Sequence, residues 1–481
     1  MKTSDVAIVG GGFTGIYSAW KLANAGMQVT LFESAEQLGG ASMSSHLWQG
    51  HWVDNGTHNL DLRSDEGYDF FSDILGSDLH IIEQHNWAST IGGQWTPGIE
   101  SPDFSVNAEK TSRLALRQMQ KLRDGLDETE STSRWSNNSS VFQSTKCLSQ
   151  RTQSSSESTL ARWYTDNYGE VLAKSINPMI RKASGSQAGL MSADALKTLD
   201  MFRRIKLGED HEMIDLKKSS EFWDQRLAVT LSCGDERYLG MNIKPRFGYP
   251  GRQGLGGFGR HALRRLNDLG VNICTSEAVI SLSNKNSIFQ IQSGEQKLKS
   301  KKLLWTLPDH VLAQLIGLKT DLRQYQLPVG FSLYAFEVPR HCVAGPDYLC
   351  DFGQDTLAFR YSHPSRYTNS YTNDDFGYVL VEIPTHPKDM QVLQTPEFKK
   401  RAWQDLLASG YLHENSHYRN SICWPLMVGY SVPCPGFLKI YSEYLQELEV
   451  QLPGVKTIEP GLRGRSAFIS GYEKQLHNEL L

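Results

Sequence analysis

Apolar and polar positions change their spacing several times along the chain, and each change predicts an element. Asp5-Val-Ala-Ile-Val9 holds a short unbroken apolar run, the signature of a buried strand. It ends in Gly10-Gly-Gly-Phe-Thr-Gly15, after which Ile16, Ala19, Trp20, Leu22 and Ala23 recur at the spacing of one helix face. Gln28 to Phe32 reads as a second strand, closed by Glu33. Farther on, Leu160, Trp163, Tyr164, Tyr168 and Val171 predict a helix over 160–173. Ser332 to Glu337 and Tyr378 to Ile383 alternate as half-buried strands do, and a last helix is expected from about Gly471 to Leu481. Between 124 and 159 the pattern dissolves into Ser, Thr, Asn, Gln and Glu, the composition of a mobile surface loop. Two overlapping glycosylation sequons at Asn137 and Asn138 fall in it and read as accidental without a signal peptide.

Composition narrows the classes. With 481 residues the chain is long enough for two or three domain-sized units. Its 49 Lys plus Arg against 53 Asp plus Glu leave a formal charge of −4, so nucleic acid is not an expected partner. No apolar run reaches the length of a membrane span, and a strand beginning by Asp5 leaves no room for a signal peptide. No membrane insertion and a cytoplasmic location are therefore expected. Seven cysteines without a C-x-x-C pair suggest reduced thiols, with neither a disulfide framework nor a metal site.

The chemistry concentrates in the first strand, turn and helix. Gly10, Gly12 and Gly15 spell G-x-G-x-x-G between a strand and a helix, and an acid follows the next strand, as a dinucleotide site requires. Gly10 allows the tight turn, Gly12 lets a pyrophosphate approach the backbone, and Gly15 lets helix and strand close together. The helix start offers unpaired N–H groups to the anion. Glu33 would accept from ribose hydroxyls and repel a 2′-phosphate, which disfavours NADP.

Leu38-Gly-Gly-Ala-Ser42 follows the acid, and Trp52-Val-Asp-Asn-Gly-Thr-His58 follows a hydrophobic stretch. Here the sequence resembles the FAD-binding superfamily that includes flavin amine oxidases, protoporphyrinogen oxidase and UDP-galactopyranose mutase. The resemblance implies FAD as cofactor, with Gly10, Gly12, Thr14, Gly15, Glu33, Gly40, Ser42 and Gly56 in its site and His58 near the flavin. Many amine oxidases carry Arg after the Gly-Gly pair; Ala41 stands there, closer to mutase-like members. Residues 163–195 resemble the mutase-like helical cap, which implies a Pro-containing turn at Asn177-Pro178 after the aromatic helix and makes Arg181 and Lys182 candidates for an anionic substrate, set against plain helix packing.

Tyr249-Pro-Gly-Arg-Gln-Gly-Leu-Gly-Gly-Phe-Gly259 repeats the fingerprint spacing at Gly254, Gly256 and Gly259, and Glu277 even supplies the acid. The two prolines of Lys244 to Pro250 leave no buried parallel strand ahead of it, so a second dinucleotide site is not expected. The superfamily has a similar loop beside its flavin, followed by a backbone contact to adenine that falls here on Val279, and a returning strand matched by Lys302 to Pro308. Near the C-terminus Gly464-Arg465 matches a Gly-Arg that returns to the cofactor, with Arg463 a rival. The mutase continuation, Tyr-x-Asp, is replaced by Ser470-Gly-Tyr-Glu473.

The expected fold is α/β, a discontinuous Rossmann-like FAD-binding domain from 1–75, 245–310 and 420–481. An α+β substrate domain comes from 76–244 and 311–419. The expected function is an FAD-dependent oxidoreductase, amine oxidase-like, that oxidises a small-molecule C–N or C–C bond by hydride transfer to flavin N5. Mutase-like sugar isomerisation comes second, and a flavin-bound protein without chemistry third. His58 would position or polarise substrate, or merely pack under the flavin; Trp424 would wall the substrate with Tyr430, or be core. Substrate, electron acceptor and oligomeric state stay open.

Overall fold

The computed structural model describes residues 2–62, 64–82, 86–125, 158–230, 247–368, 370–458 and 469–481. Most of the polar segment at 124–159, with both sequons, lies outside the described residues, as do Cys147, Cys233, Arg463, Gly464 and Arg465.

Lys2–Val9 is the strand expected at the N-terminus. It pairs in parallel with Val29–Phe32 on one side and with Gln296–Trp305 on the other, and Val29–Phe32 pairs in parallel with Asn272–Cys274. Val279–Lys285 and Ile288–Ser293 extend this sheet as an antiparallel meander, and Lys456–Thr457 pairs in parallel with Gln296–Trp305. Val6 and Ile8 enter one core with Ile16, Phe70 and Phe258, while Ala7 and Val9 enter another with Leu303 and Trp305. A strand buried on both faces has no polar side to show, which accounts for its continuous apolar run.

The second large sheet is built on Gln326–Pro339 and Phe376–Thr385, strands where the sequence placed them, which pair antiparallel; both are buried on both faces over most of their length, not half-buried as their alternation suggested. Its register sets Trp424, Leu333, Glu382 and Arg360 side by side on one face. Leu333, Ala335 and Leu380 on that face pack with Val53, which comes from the hairpin Ser45–Trp48 and His51–Asp54. The edge strand Ser421–Pro433 belongs to this sheet, although its residues fall within the 420–481 segment assigned by sequence to the nucleotide domain.

Two elements differ from expectation. The helix read over 160–173 is two helices, Leu160–Tyr168 and Glu170–Ser184, because Gly169 adopts φ +86° between them. Pro178 lies inside the second helix rather than in a turn. The loss of one backbone hydrogen bond there is borne by a helix whose Leu172, Ile176, Met179 and Ile180 are buried in the core. The terminal helix spans Ile469–Glu479. Among the described residues no helix is long and apolar enough to cross a membrane.

Candidate active site

The fingerprint loop leaves the carboxyl end of Lys2–Val9 and enters the helix Phe13–Asn24, whose N-cap is Gly12 and so brings no side chain to the first N–H groups. Gly10 has φ +109°, and a side chain on Gly15 would collide with the Gly10 carbonyl, so both glycines are sterically required. Thr14 is buried in the first helical turn. Glu33 closes the second strand; its Oε2 accepts from the Gly11 N–H at 2.7 Å and its Oε1 from the Ala35 N–H at 2.8 Å. The carboxylate is thereby fixed beside the glycine loop. The Cys274 carbonyl accepts from the Glu33 N–H, and the Glu33 carbonyl accepts from the Glu277 N–H, so the segment leading to Val279 lies alongside. Val279 opens its strand half-buried.

A second glycine loop rests on the first. Gly39 donates to the Gly11 carbonyl at 2.8 Å and forms an isolated parallel bridge with Gly12, and Gly40 comes close enough that a side chain would stand 3.1 Å from the Gly12 Cα. From there the path continues: Asn55 donates through its backbone to the Ser44 carbonyl at 3.2 Å and through Nδ2 to the Ala41 carbonyl at 3.4 Å. Ser42 is half-buried on this path. Gly56 is buried with φ +101°. Thr57 then docks on the second sheet, its N–H donating to Glu382 Oε1 at 2.8 Å and its hydroxyl to Ser362 Oγ at 2.6 Å. Arg360 braces the same loop, 3.7 Å from Glu382 and 3.4 Å from the Thr57 carbonyl. His58 follows with an exposed ring.

Trp424 is half-buried and held at two points: its Nε1 donates to Asn55 Oδ1 at 3.0 Å and the His46 ring meets it edge-on at 4.7 Å. Burial pushes the His46 imidazole below its ordinary value. Tyr430 donates to the Ala183 carbonyl at 3.2 Å. A cleft of about 910 Å³ opens between the first sheet and the edge of the second; Ala41, Pro308, Tyr430 and Tyr441 help line it, whereas Trp424 and His58 do not. Its size suits an organic ligand.

The second glycine series has a different job. Phe247–Pro250 is a strand, but it pairs antiparallel with Leu60–Asp61 and Leu79–Ile82 in a separate three-stranded sheet. The helix Leu255–Asp268 that follows has its first N–H groups taken: Asp54 Oδ1 accepts from Leu255 at 2.9 Å and Ser45 Oγ from Gly256 at 3.0 Å. Side chains at Gly254 and Gly256 would strike those same groups, and one at Gly259 would strike the Leu38 carbonyl. Glu277 is bonded by Ser293 and Gln296. These glycines pack a helix against the hairpin and the Gly39–Gly40 loop; they leave no anion site.

Asp54 is the group that sequence reading passed over inside the Trp52–His58 segment. Its other oxygen accepts from the buried Tyr249 hydroxyl, and burial pushes its carboxyl up to about 7 against the lowering effect of both hydrogen bonds. Tyr249 is thus committed to Asp54. Lys182, a candidate for anionic substrate, is also committed: it lies 3.3 Å from Asp351 and donates to the Gly353 carbonyl and Thr356 hydroxyl, with only 7% of its side chain exposed. Arg181 is exposed.

Residues 8–74 match the family described as an NAD(P)-binding Rossmann-like domain. Achacin of Lissachatina fulica is 48% identical over 46 residues, covering 10% of this chain and 9% of that protein. Whole-chain likeness is to solved structures. Reduced UDP-galactopyranose mutase has a TM-score of 0.68 at 16% identity, covering 99% of this chain and 94% of the other. Putrescine oxidase bound to putrescine has 0.60 at 15%, covering 99% and 98%. Cyclohexylamine oxidase from Brevibacterium oxydans IH-35A has 0.58 at 13%, covering 98% and 99%. At such identities the likeness is one of fold alone. The chain is an α/β protein with a Rossmann-like nucleotide-binding domain.

Proposed function

We propose that the chain binds FAD noncovalently and acts as an FAD-dependent oxidoreductase on a small molecule. One observation carries the reading. Three loops join by hydrogen bonds into a continuous floor, from the fingerprint through Gly39–Gly40 to Gly56–His58, ending against the second sheet. A single nucleotide needs only the first loop; a cofactor with a second aromatic system at its far end uses all three.

The residues fit that cofactor. Gly10, Gly12, Thr14 and Gly15 with the helix start would receive the diphosphate, Glu33 would take the ribose hydroxyls, and Val279 would contact the adenine. Gly40, Ser42 and Gly56 lead to the flavin end, and Gly464 and Arg465 are proposed as the returning contact. When bound, the flavin supplies the acceptor for a hydride equivalent withdrawn from a C–N or C–C bond. The chain supplies placement. Glu382 and Ser362 hold Thr57, which fixes the loop presenting His58, and Asn55 with His46 holds Trp424 as a rigid wall. His58 is assigned to positioning or proton transfer at the substrate side.

Mutase-like chemistry remains the second reading on account of Ala41, but Lys182, the cap cation suited to a nucleotide-sugar phosphate, is buried against Asp351. The test is to purify the protein, record its visible spectrum, and follow anaerobic bleaching with candidate amines and, separately, turnover of nucleotide sugars. A yellow protein bleached by an amine supports the oxidoreductase. A protein that stays colourless with added FAD ends both readings.

A further inference from the structure

A second cleft, of about 440 Å³, lies behind the second glycine helix and is distinct from the larger one in every lining residue. Its floor is rigid: Leu79 pairs with Pro250 and His80 with Tyr249 in the three-stranded sheet. Thr368, which follows the short helix Pro364–Tyr367 packed against Phe376–Thr385 of the second large sheet, closes one side.

The charges around it are unbalanced. Arg252, His80 and His261 line the cleft; Arg252 and His80 are exposed. Outside the lining itself, Arg264 adds a guanidinium 3.2 Å from His261, and Arg260 lies over the Trp52 ring with two of its nitrogens bonded to Gln253 Oε1. Among the described residues Asp78 is the carboxylate lining the cleft, and it is paired with His261 at 2.9 Å. One guanidinium, Arg252, therefore lines the cleft, and two more reach lining side chains, Arg260 at Gln253 and Arg264 at His261, against a single lining carboxylate, on a chain whose overall charge is −4. The helix terminus contributes nothing here, because Asp54 and Ser45 occupy it. Recognition would come from side chains, with a guanidinium fork suited to phosphate oxygens and Leu79 and Pro250 offering an apolar surface to an organic portion.

We propose that this cleft binds a phosphorylated small molecule, independently of the dinucleotide site. The probes are AMP, inorganic pyrophosphate and adenosine, titrated calorimetrically into the full chain as purified. AMP and pyrophosphate should each bind once at this cleft, adenosine should not, and affinity should fall as salt is raised. Arg252→Glu should weaken AMP binding about tenfold or more, the loss expected for one charge-assisted contact reversed in sign. Gly12→Val, which blocks the fingerprint, should leave binding at this cleft unchanged. Arg252 and His80 are exposed, so Arg252→Glu and a second variant, His80→Asn, leave the core intact. AMP binding that survives Arg252→Glu unchanged, or that vanishes with Gly12→Val, would overturn the proposal, as would the absence of saturable binding by either phosphate compound at millimolar concentration. Because a vacant fingerprint would itself take AMP, the Arg252→Glu comparison is read in the Gly12→Val background, where failure of the FAD reading and failure of this proposal are distinguishable.

Discussion

Replacing Asp54 with asparagine tests whether a buried carboxyl, and not merely a polar side chain, joins the hairpin to the second glycine helix. Asp54 is 1% exposed, accepts from the Leu255 N–H and the Tyr249 hydroxyl, and has its carboxyl pushed up to about 7. In the unfolded chain it titrates near its ordinary value of 3.8. Below that value both states hold the proton and burial carries no ionic penalty. Between about 4 and 7 the unfolded chain releases its proton while the folded one keeps it, so stability is lost as pH rises, and the loss levels off above the folded value. At about 1.4 kcal/mol per pH unit the full penalty is about 4 kcal/mol. The amide introduced by Asp54→Asn does not titrate and keeps an acceptor for one of the two donors. The stability of the variant minus that of the parent should therefore rise by about 3–4 kcal/mol between pH 4.5 and pH 8. Urea unfolding of the two apoproteins at pH 4.5, 6 and 8, followed by tryptophan fluorescence, reads this difference, and every other titrating group cancels. An offset that stays constant within about 1 kcal/mol across the range would refute the argument.

Gly259→Ala should weaken FAD binding although residue 259 is not among the proposed cofactor contacts, because the new methyl strikes the Leu38 carbonyl and displaces the Gly39–Gly40 loop; a fluorescence titration giving unchanged affinity would show that loop to be dispensable. Lys182→Met should lower stability by roughly 3–5 kcal/mol by stranding Asp351, the range for breaking one partner of a buried pair, while KM for substrate stays put; a raised KM at unchanged melting temperature would restore Lys182 as a substrate ligand. His58→Ala should slow flavin reduction roughly 10²–10⁴-fold at full flavin occupancy if the imidazole moves a proton; unchanged reduction at full occupancy removes it from the chemistry, and lost flavin makes it a packing residue.

The first strand, fingerprint and acid were legible because everything that defines them lies within about thirty residues and is local in character: apolar run, glycine turn, helix period. The second fingerprint has the same spacing and a different purpose. What separates the two is the partner of the helix start, and Asp54 meets Leu255 across 201 positions of sequence. Spacing alone carries no trace of that contact; the prolines ahead of it were the available signal. Lys182 reads as a free cation until Asp351 is folded against it. Pro178, which the cap resemblance puts in a turn, stays helical because the apolar face of Glu170–Ser184 packs well enough to carry it. His46 and Asn55 left no signal, since their roles consist wholly in touching Trp424.

The parallel pairing of Lys2–Val9 with Gln296–Trp305 has a consequence for biosynthesis. Ile8 finds Leu304 only after most of the chain has been made, and at typical elongation speeds that wait is roughly 15–60 s. Throughout that interval the apolar run Val6–Val9 has an open flank on the side its partner will fill, in the geometry that invites strangers to add a strand. Nascent chains halted before residue 296 should therefore depend on holdase chaperones and fail to retain cofactor, and the nucleotide module cannot be excised as an N-terminal fragment. The nucleotide module should thus mature late, timed by the ribosome's arrival at one distant strand.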